Sequence, residues 1–169
     1  MEEMEIPTEH LHETIKEKAE EELKEVKEQG WSLYVAISTA LMAVFAAISG
    51  LLAGHHSNEA LIEQIKASDQ WAFYQSKGIK AEIRSIQSNT AEVERYKKEQ
   101  EDIKKEAEEF QMNSKLHLEK HVQLAKAVTL FQVAIAISAI AILTRRKFLW
   151  WLSMLIALAG IVFFLLGLW

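Results

Sequence analysis

Hydrophobic residues are gathered into three long blocks along the chain, with strongly polar stretches between them. Residues 31–54, 127–144 and 148–169 contain no Asp, Glu, Lys, Arg or His. A helix rises about 1.5 Å per residue, so roughly 20 apolar residues cross a hydrocarbon core ~30 Å thick. A chain this small has too little other protein to bury three such helices in a soluble core. The pattern predicts an all-α membrane protein with three transmembrane helices, at 31–54, 127–144 and 148–169.

The polar insert between the first two blocks, residues 55–126, is rich in Glu, Lys, Gln, Ala and Ile, which favour helix. Both of its ends return to the same membrane face, so the chain must reverse within it. We place the turn near 88–90, because Asn89 suits a helix N-cap and Glu92 follows at capping-box spacing. The insert is predicted to be an antiparallel, coiled-coil-like helical hairpin, which we call the stalk.

Two apolar series at three- and four-residue spacing mark the stalk faces predicted to pack on each other. They are Leu61, Ile65, Ala72, Ile79, Ile83 and Ile86 on the first arm and Val93, Tyr96, Ile103, Ala107 and Phe110 on the second. Polar residues interrupt both series, so a lone hairpin buries little area. We therefore expect a homo-oligomer with laterally packed stalks; a monomeric hairpin is the alternative.

Residues 1–30 are predicted to form an acidic, amphipathic helix that begins after Pro7 and stops at Gly30. Its narrow apolar stripe consists of Leu11, Ile15, Ala19, Leu23 and Val26. Such a stripe suits a partner helix, and a solvated helix without a partner is the other interpretation.

The orientation follows from the basic loop at 145–147, which consists of Arg145, Arg146 and Lys147. Short loops rich in Arg and Lys remain cytoplasmic. By alternation the amino terminus is cytoplasmic and the 55–126 stalk lies on the outer side of the membrane, which is the periplasm in a bacterial inner membrane.

Small residues on one face of the first span predict close helix packing. They are Ser32, Ala36, Thr39, Ala43, Ala46, Gly50 and Gly54, of which the last three have small-xxx-small spacing. The partner is either another copy or the chain's own second span, through Ala136 and Ala139. A pore lined by this face of an oligomer is a further possibility.

Histidines and glutamates near the foot of the stalk are the only candidate metal ligands. His55, Glu59 and Glu63 share a helical face. His117 and His121 on the returning arm are predicted to lie at nearly the same membrane depth as His55 and His56 on the first arm. Imidazole and carboxylate together suit zinc or a similar ion, and a histidine cluster also suits proton sensing. Ordinary interfacial polar residues would give the same pattern.

Trp71, Phe73 and Tyr74 form an aromatic patch well above the membrane, either sealing contacts between stalks or receiving a partner. Other chemistry is excluded or not indicated. The chain has no cysteine and a net charge of -5, so thiolate sites are excluded and a nucleic-acid interface is not indicated. No ionisable residue lies inside a span, unlike in proton-coupled carriers. We expect no catalytic residues and no cofactor.

Three stretches resemble the bacterial membrane-protein family described as domain of unknown function 4337. They are GLLAGHHSNEALIEQIKASDQWAFYQSKGIKAE, ERYKKEQEDIKKEAEE and HLEKHVQLAKAVTLFQVAIAISAIAILTRRK, and the amino-terminal EHLHETI is also similar. The resemblance implies a bacterial inner-membrane protein and carries no reaction or ligand.

These features together predict a non-enzymatic, oligomeric membrane protein whose stalk organises itself or a protein partner. Its other contacts are with membrane lipid. A homo-oligomeric channel or small transporter, with a pore lined by the first span, is the alternative function.

Overall fold

The computed structural model describes the backbone of residues 8–169 and the side chains of residues 16–23 and 30–169. Within these residues the chain forms three α-helices: α1 at Thr8–Ile86, α2 at Thr90–Thr144 and α3 at Lys147–Leu168. Each helix contains a stretch long and apolar enough to cross a membrane. The predicted all-α class with three long apolar helices is therefore confirmed.

Helix α1 is unbroken over 79 residues, from the amino-terminal segment through the first apolar block to the end of the stalk arm. Gly30 does not end it, contrary to the prediction. A glycine inside a helix costs only about 1 kcal/mol relative to alanine, which helix-forming neighbours on both sides outweigh. Of the predicted amino-terminal stripe, Ala19 and Leu23 are exposed. The side chains of Leu11, Ile15 and Val26 lie outside the described residues.

The chain reverses between Ile86, where α1 ends, and Thr90, where α2 begins. Ser88 adopts the left-handed conformation, with φ of 57°. Asn89 is the N-cap, and its Oδ1 accepts a hydrogen bond from the Glu92 N–H at 3.3 Å. The reciprocal half of the capping box is absent, because the Asn89 N–H donates to the Arg84 carbonyl. The Glu92 carboxylate instead pairs with Arg84 at 2.7 Å and ties α2 to α1.

Contacts between α1 and α2 extend from the apolar blocks to the turn. In order they are Thr39–Ser138, Ala53–His121, Ala60–Ser114, Gln70–Glu106, Lys77–Glu99 and Arg84–Glu92. The residue numbers rise along α1 as they fall along α2. The two helices therefore lie side by side in opposite directions, and each continues from its apolar block into the charged stalk.

The contact face of α1 carries small residues with a seven-residue period, which Tyr74 interrupts once. In the stalk and just below it these are Ala53, Ala60, Ala67 and Ala81, all buried. On α2 the predicted second series does lie at the contact, since Ile103 and Ala107 are buried and Val93, Tyr96 and Phe110 are half-buried.

The predicted first series does not lie at this contact. Leu61, Ile65 and Ile79 are each about 60% exposed and Ile86 is 85% exposed. Two heptad series run along this arm of α1, one of alanines and one mostly of leucine and isoleucine. The alanine series faces α2. Alanine permits a short distance between the two helices, and at that distance the Ser114 hydroxyl can donate to the Ala60 carbonyl at 2.8 Å.

Helix α3 packs against α2 through a second set of small residues. Ser153, Ala157, Gly160 and Gly167 are buried on α3. The core where the three helices meet is formed by Met42, Ala127, Phe131, Ala134 and Ala157, with Phe45 and Phe164 packed against it. The Phe45 ring stacks on Phe131 and meets Phe164 edge to face, with centroids 5.9 Å apart in both pairs.

Replacing Gly167 by alanine is expected to destabilise the packing of α3 on α2. A Cβ at this position would lie 2.6 Å from Leu124 Cγ and 3.3 Å from its backbone nitrogen. Overpacking of this kind costs about 1–3 kcal/mol. The measurement is thermal unfolding of the full chain in nanodiscs by circular dichroism.

Gly30→Ala is the matched control, because nothing lies within 4 Å of the added Cβ. It should leave the unfolding temperature unchanged or raise it through helix propensity. Equal unfolding temperatures for the two variants would contradict this account of the α2–α3 contact.

Candidate functional site

Four histidines lie where α1 and α2 pass from the apolar blocks into the stalk. His56 on α1 meets His117 on α2, with their Nδ1 atoms 3.0 Å apart. The His55 ring centroid is 5.4 Å from that of His56, and the His117 centroid is 5.2 Å from it. His121 lies one turn further along α2. The opposite directions of the two helices bring these residues to one level.

The His56–His117 contact constrains protonation. One Nδ1 must donate and the other must accept, so one of the two imidazoles has to keep a bare nitrogen. The pair therefore tolerates one positive charge and not two.

Burial lowers the pKa of His56 below its ordinary value of 6.5, and the charges of His117, His55 and Lys120 lower it further while Glu59 acts in the opposite direction. The folded chain therefore disfavours a proton on His56.

His121 makes a different contact, with its Nδ1 2.8 Å from the carbonyl oxygen of Ala53. A carbonyl only accepts, so His121 must carry a hydrogen on Nδ1. The contact therefore fixes the hydrogen on Nδ1 of His121, whereas the His56–His117 contact needs one Nδ1 without a hydrogen.

The predicted metal ligands are not brought together. Among the described residues no group of three or more His, Cys, Asp or Glu side chains is arranged to hold a metal ion. His117 meets His56 rather than His55, because successive helical residues are rotated by about 100° and residue 55 is exposed. Glu63 pairs with Lys66 at 2.8 Å on its own helix. Glu59 approaches His56 only as a nearby charge.

The aromatic patch is divided between two surfaces. Trp71 and Tyr74 are half-buried and meet edge to face with centroids 5.6 Å apart. Phe73 is 48% exposed, with the Lys77 ammonium 5.0 Å above its ring. Lys77 also donates to Glu99, and this hydrogen bond lowers the pKa of the Glu99 carboxyl.

Gly78 makes room for a cross-helix bond near this patch. The Gln100 amide donates to the Tyr74 carbonyl at 3.0 Å. A Cβ at Gly78 would lie 2.7 Å from the Gln100 nitrogen. The patch therefore fastens the stalk arms on one side and leaves one ring exposed on the other.

The sequence model of a family described as a domain of unknown function (DUF4337) matches residues 31–94 and 84–169. The chain belongs to this family. The two matched segments overlap at 84–94, which includes the turn between α1 and α2. Residues 1–30 lie outside the match, so it does not extend to EHLHETI. Comparison with curated proteins found no match, and comparison with solved structures found none.

The small residues of the first span have different places in this DUF4337 chain. Ala46 packs against the core. A Cβ at Gly50 would lie 3.9 Å from Val128, and one at Gly54 would have nothing within 4 Å. The predicted contact with Ala136 and Ala139 is not formed, because both are exposed. The second span presents Ala127, Ala134 and Ala141 instead.

The basic residues of the DUF4337 chain form the short link between α2 and α3. Arg145 is the left-handed C-cap of α2, with φ of 52°. Its N–H donates to the Ile142 carbonyl, and that of Arg146 donates to the Ala141 carbonyl. Lys147 is the first residue of α3. Three cationic residues are thus held together at the end of two apolar helices.

An open groove of about 480 Å³ lies between α2 and α3 near His121, and the sequence did not indicate it. Its lining consists of His121, Val122, Ala125, Lys126, Thr129, Leu130 and Phe163. The Lys126 ammonium lies 5.5 Å from the centre of the Phe163 ring. Only a three-dimensional packing of α3 on α2 brings residues so distant in sequence together.

Acidification is expected to loosen α1 from α2 at the foot of the DUF4337 stalk. Because the folded pKa of His56 is below 6.5, the unfolded chain binds more protons than the folded chain in the window between the two values. This contact is at full strength above pH 6.5 and weakens as the pH falls through that window. Spin labels at Asn58→Cys and Leu118→Cys should report a longer or broader distance at pH 5 than at pH 8.

His117→Gln should weaken this response, since the amide can accept a hydrogen bond from a protonated His56 and the charge of His117 is removed, while burial still lowers the pKa of His56. His55→Gln is the matched control and should keep more of the parent's response, because His55 is exposed and acts on His56 through its charge, while His117 contacts His56 directly. A His117→Gln variant with the parent's pH response would refute the assignment.

Proposed function

We propose that this protein is a non-enzymatic, multi-pass bacterial inner-membrane protein that assembles into complexes through its stalk. The three apolar blocks cross the membrane, and the stalk, residues 55–126, stands outside it. The stalk organises further copies of the chain or a protein partner. Family membership supplies no reaction, so the proposal rests on the surfaces of the molecule.

The observation that carries the proposal is an uncovered apolar surface on the stalk. Leu61, Ile65, Ile79, Ile83 and Ile86 are all between 49% and 85% exposed. They remain exposed because α2 packs against the alanine series of α1 instead. Apolar side chains in a continuous exposed patch mark a site of protein association when the surroundings are water.

Rigid attachment of the stalk supports an organising role. Neither α1 nor α2 is interrupted where the apolar block meets the stalk. The two arms are tied at the foot by His121 on Ala53 and near the tip by Arg84 with Glu92. A protein bound to the stalk would be held at a set distance and direction relative to the spans.

A channel along the first span has less support. Thr39, which would line the pore, shares a hydrogen bond with Ser138 at 2.6 Å. Ser38 accepts one from Trp150 at 3.1 Å. Apart from Ser32 and Tyr34 near its start, the exposed residues of the span are alanine, glycine and large aliphatic residues, which offer no side-chain groups to replace the hydration shell of an ion.

The proposed orientation follows from Arg145, Arg146 and Lys147 on the cytoplasmic side. The chain has no natural cysteine, so single cysteines report cleanly. Ser88→Cys at the stalk tip is expected to react with an impermeant maleimide in spheroplasts. Ser32→Cys should react only after the membrane is permeabilised. The opposite labelling pattern would show that the orientation is the reverse of the one proposed.

The complex itself is tested on the full chain extracted with its native lipid into polymer discs. Native mass measurement should give a mass above that of one chain. Liposomes containing the same protein should stay impermeable to potassium and chloride. A monomer mass in native discs would overturn the organising role. Ion flux that Gly50→Leu abolishes would favour the channel instead.

A further inference from the structure

We propose that a second copy of this chain docks in parallel along one continuous surface of α1, from the first span to the tip of the stalk. This surface, the α1 outer face, consists of Ala36, Ala43, Ala47, Gly50, Gly54, Leu61, Ile65, Ala72, Ile79, Ile83 and Ile86. The inference rests on the proposed function and identifies both the occupant and the contact. Every one of these residues is exposed in the single chain.

These positions share one face because α1 is unbroken. Successive members are separated by three, four or seven residues over the whole distance from Ala36 to Ile86. Such spacing keeps side chains on one side of a helix. A break at the membrane boundary would have rotated the stalk part away from the span part, and none is present.

The residue type changes along this face where the surroundings change. Inside the first apolar block the members are alanine and glycine, and beyond Gly54 they are mostly leucine and isoleucine. In lipid, helices associate by close backbone approach, which small residues permit. In water, association is driven by burial of large apolar side chains. Each half of the face therefore carries the residues that drive association in its own solvent.

The opposite side of the stalk is charged over its upper part. Between residues 94 and 109 the exposed residues of α2 include Glu94, Lys97, Lys98, Glu101, Lys104, Lys105, Glu108 and Glu109, and exposed apolar residues such as Met112 and Leu116 follow only closer to the second span. No member of the α1 outer face is charged. Exposed polar residues at three- or four-residue spacing from its stalk members include Asn58, Ser68 and Gln75, which are uncharged, and Asp69 and Glu82, which are acidic and border the face. The contrast separates a face for solvent from a face for protein.

A second copy fits this face because the membrane fixes the orientation and height of every copy. Copies inserted with the same topology present identical residues at identical heights, so the face meets itself in parallel. The interval of seven between Ile65, Ala72, Ile79 and Ile86 is the heptad repeat of coiled coils, and the shared membrane topology makes the contact parallel. Their exposed area, with Leu61 and Ile83, would bury on the order of 1,000 Å² in total, and the span adds to this; specific interfaces begin near this size.

The test uses full-length chains with single cysteines in native membranes and a mild oxidant. Ile79→Cys should form a disulfide-linked dimer rapidly. Lys97→Cys is the matched control, because it is exposed on α2 close to the level set by the Lys77–Glu99 pair. It should remain largely monomeric. Equal linking at both positions would indicate random collision and overturn the proposal, as would no linking at Ile79→Cys.

Register is tested by co-expressing Leu61→Cys and Ile86→Cys chains with different affinity tags. Each should link to itself. The mixed dimer should not form, because 25 residues of helix place the two positions about 38 Å apart. Abundant mixed dimers would overturn the parallel arrangement.

A combined Ile79→Glu and Ile83→Glu variant gives an independent readout. Each buried isoleucine is worth more than one tenfold step in Kd, so association should weaken by more than about a hundredfold. Helical content by circular dichroism should be unchanged, and Lys97→Glu should associate as the parent does.

The outcomes separate this inference from the proposed function. A complex larger than one chain in native discs, with no linking at Ile79→Cys, overturns the α1 outer face as the contact and leaves the organising role. A monomer in native discs overturns both.

Discussion

Alanines at seven-residue intervals bring α1 and α2 into close contact, and much of the molecule depends on that contact. Ala53 and Ala60 leave their carbonyls accessible, so His121 and Ser114 on α2 can each donate to one. Larger side chains at these positions would hold the helices apart and remove both bonds. The same close approach decides which face of α1 is left uncovered. One packing choice thus sets the internal contact and the external surface together.

Much of the fold could be predicted from the hydropathy pattern and from the residues at the turn. The three apolar blocks correspond to stretches in three helices, and an asparagine with a glutamate three residues later stands at the reversal. Which heptad series faces α2 was not predictable from spacing. Two series with the same period coexist on α1, and large aliphatic residues looked like the better core. The short interhelical distance favoured alanine, and no single-helix pattern reveals that distance.

The histidine cluster shows the same limit on a smaller scale. Opposite helix directions were enough to place four histidines at one level. The choice of His56 rather than His55 as the partner of His117 depends on a helix rotation of about 100°, which periodicity near a membrane boundary does not define. The groove between α2 and α3 brings Phe163 to His121 and Lys126, which are far from it in the sequence.

Because α1 is unbroken, the stalk has a fixed length. From residue 55 to Ile86 the helix extends about 47 Å, so anything bound at the tip is held at that distance from the end of the first apolar block. One added residue would turn everything beyond it by about 100° and misalign both faces of the arm. Only insertions close to a whole number of turns, such as about 7 or 11 residues, keep the faces aligned, and they must be of equal length in α1 and α2. Related chains should therefore differ in reach by discrete steps, of about 10 Å when each arm gains one heptad.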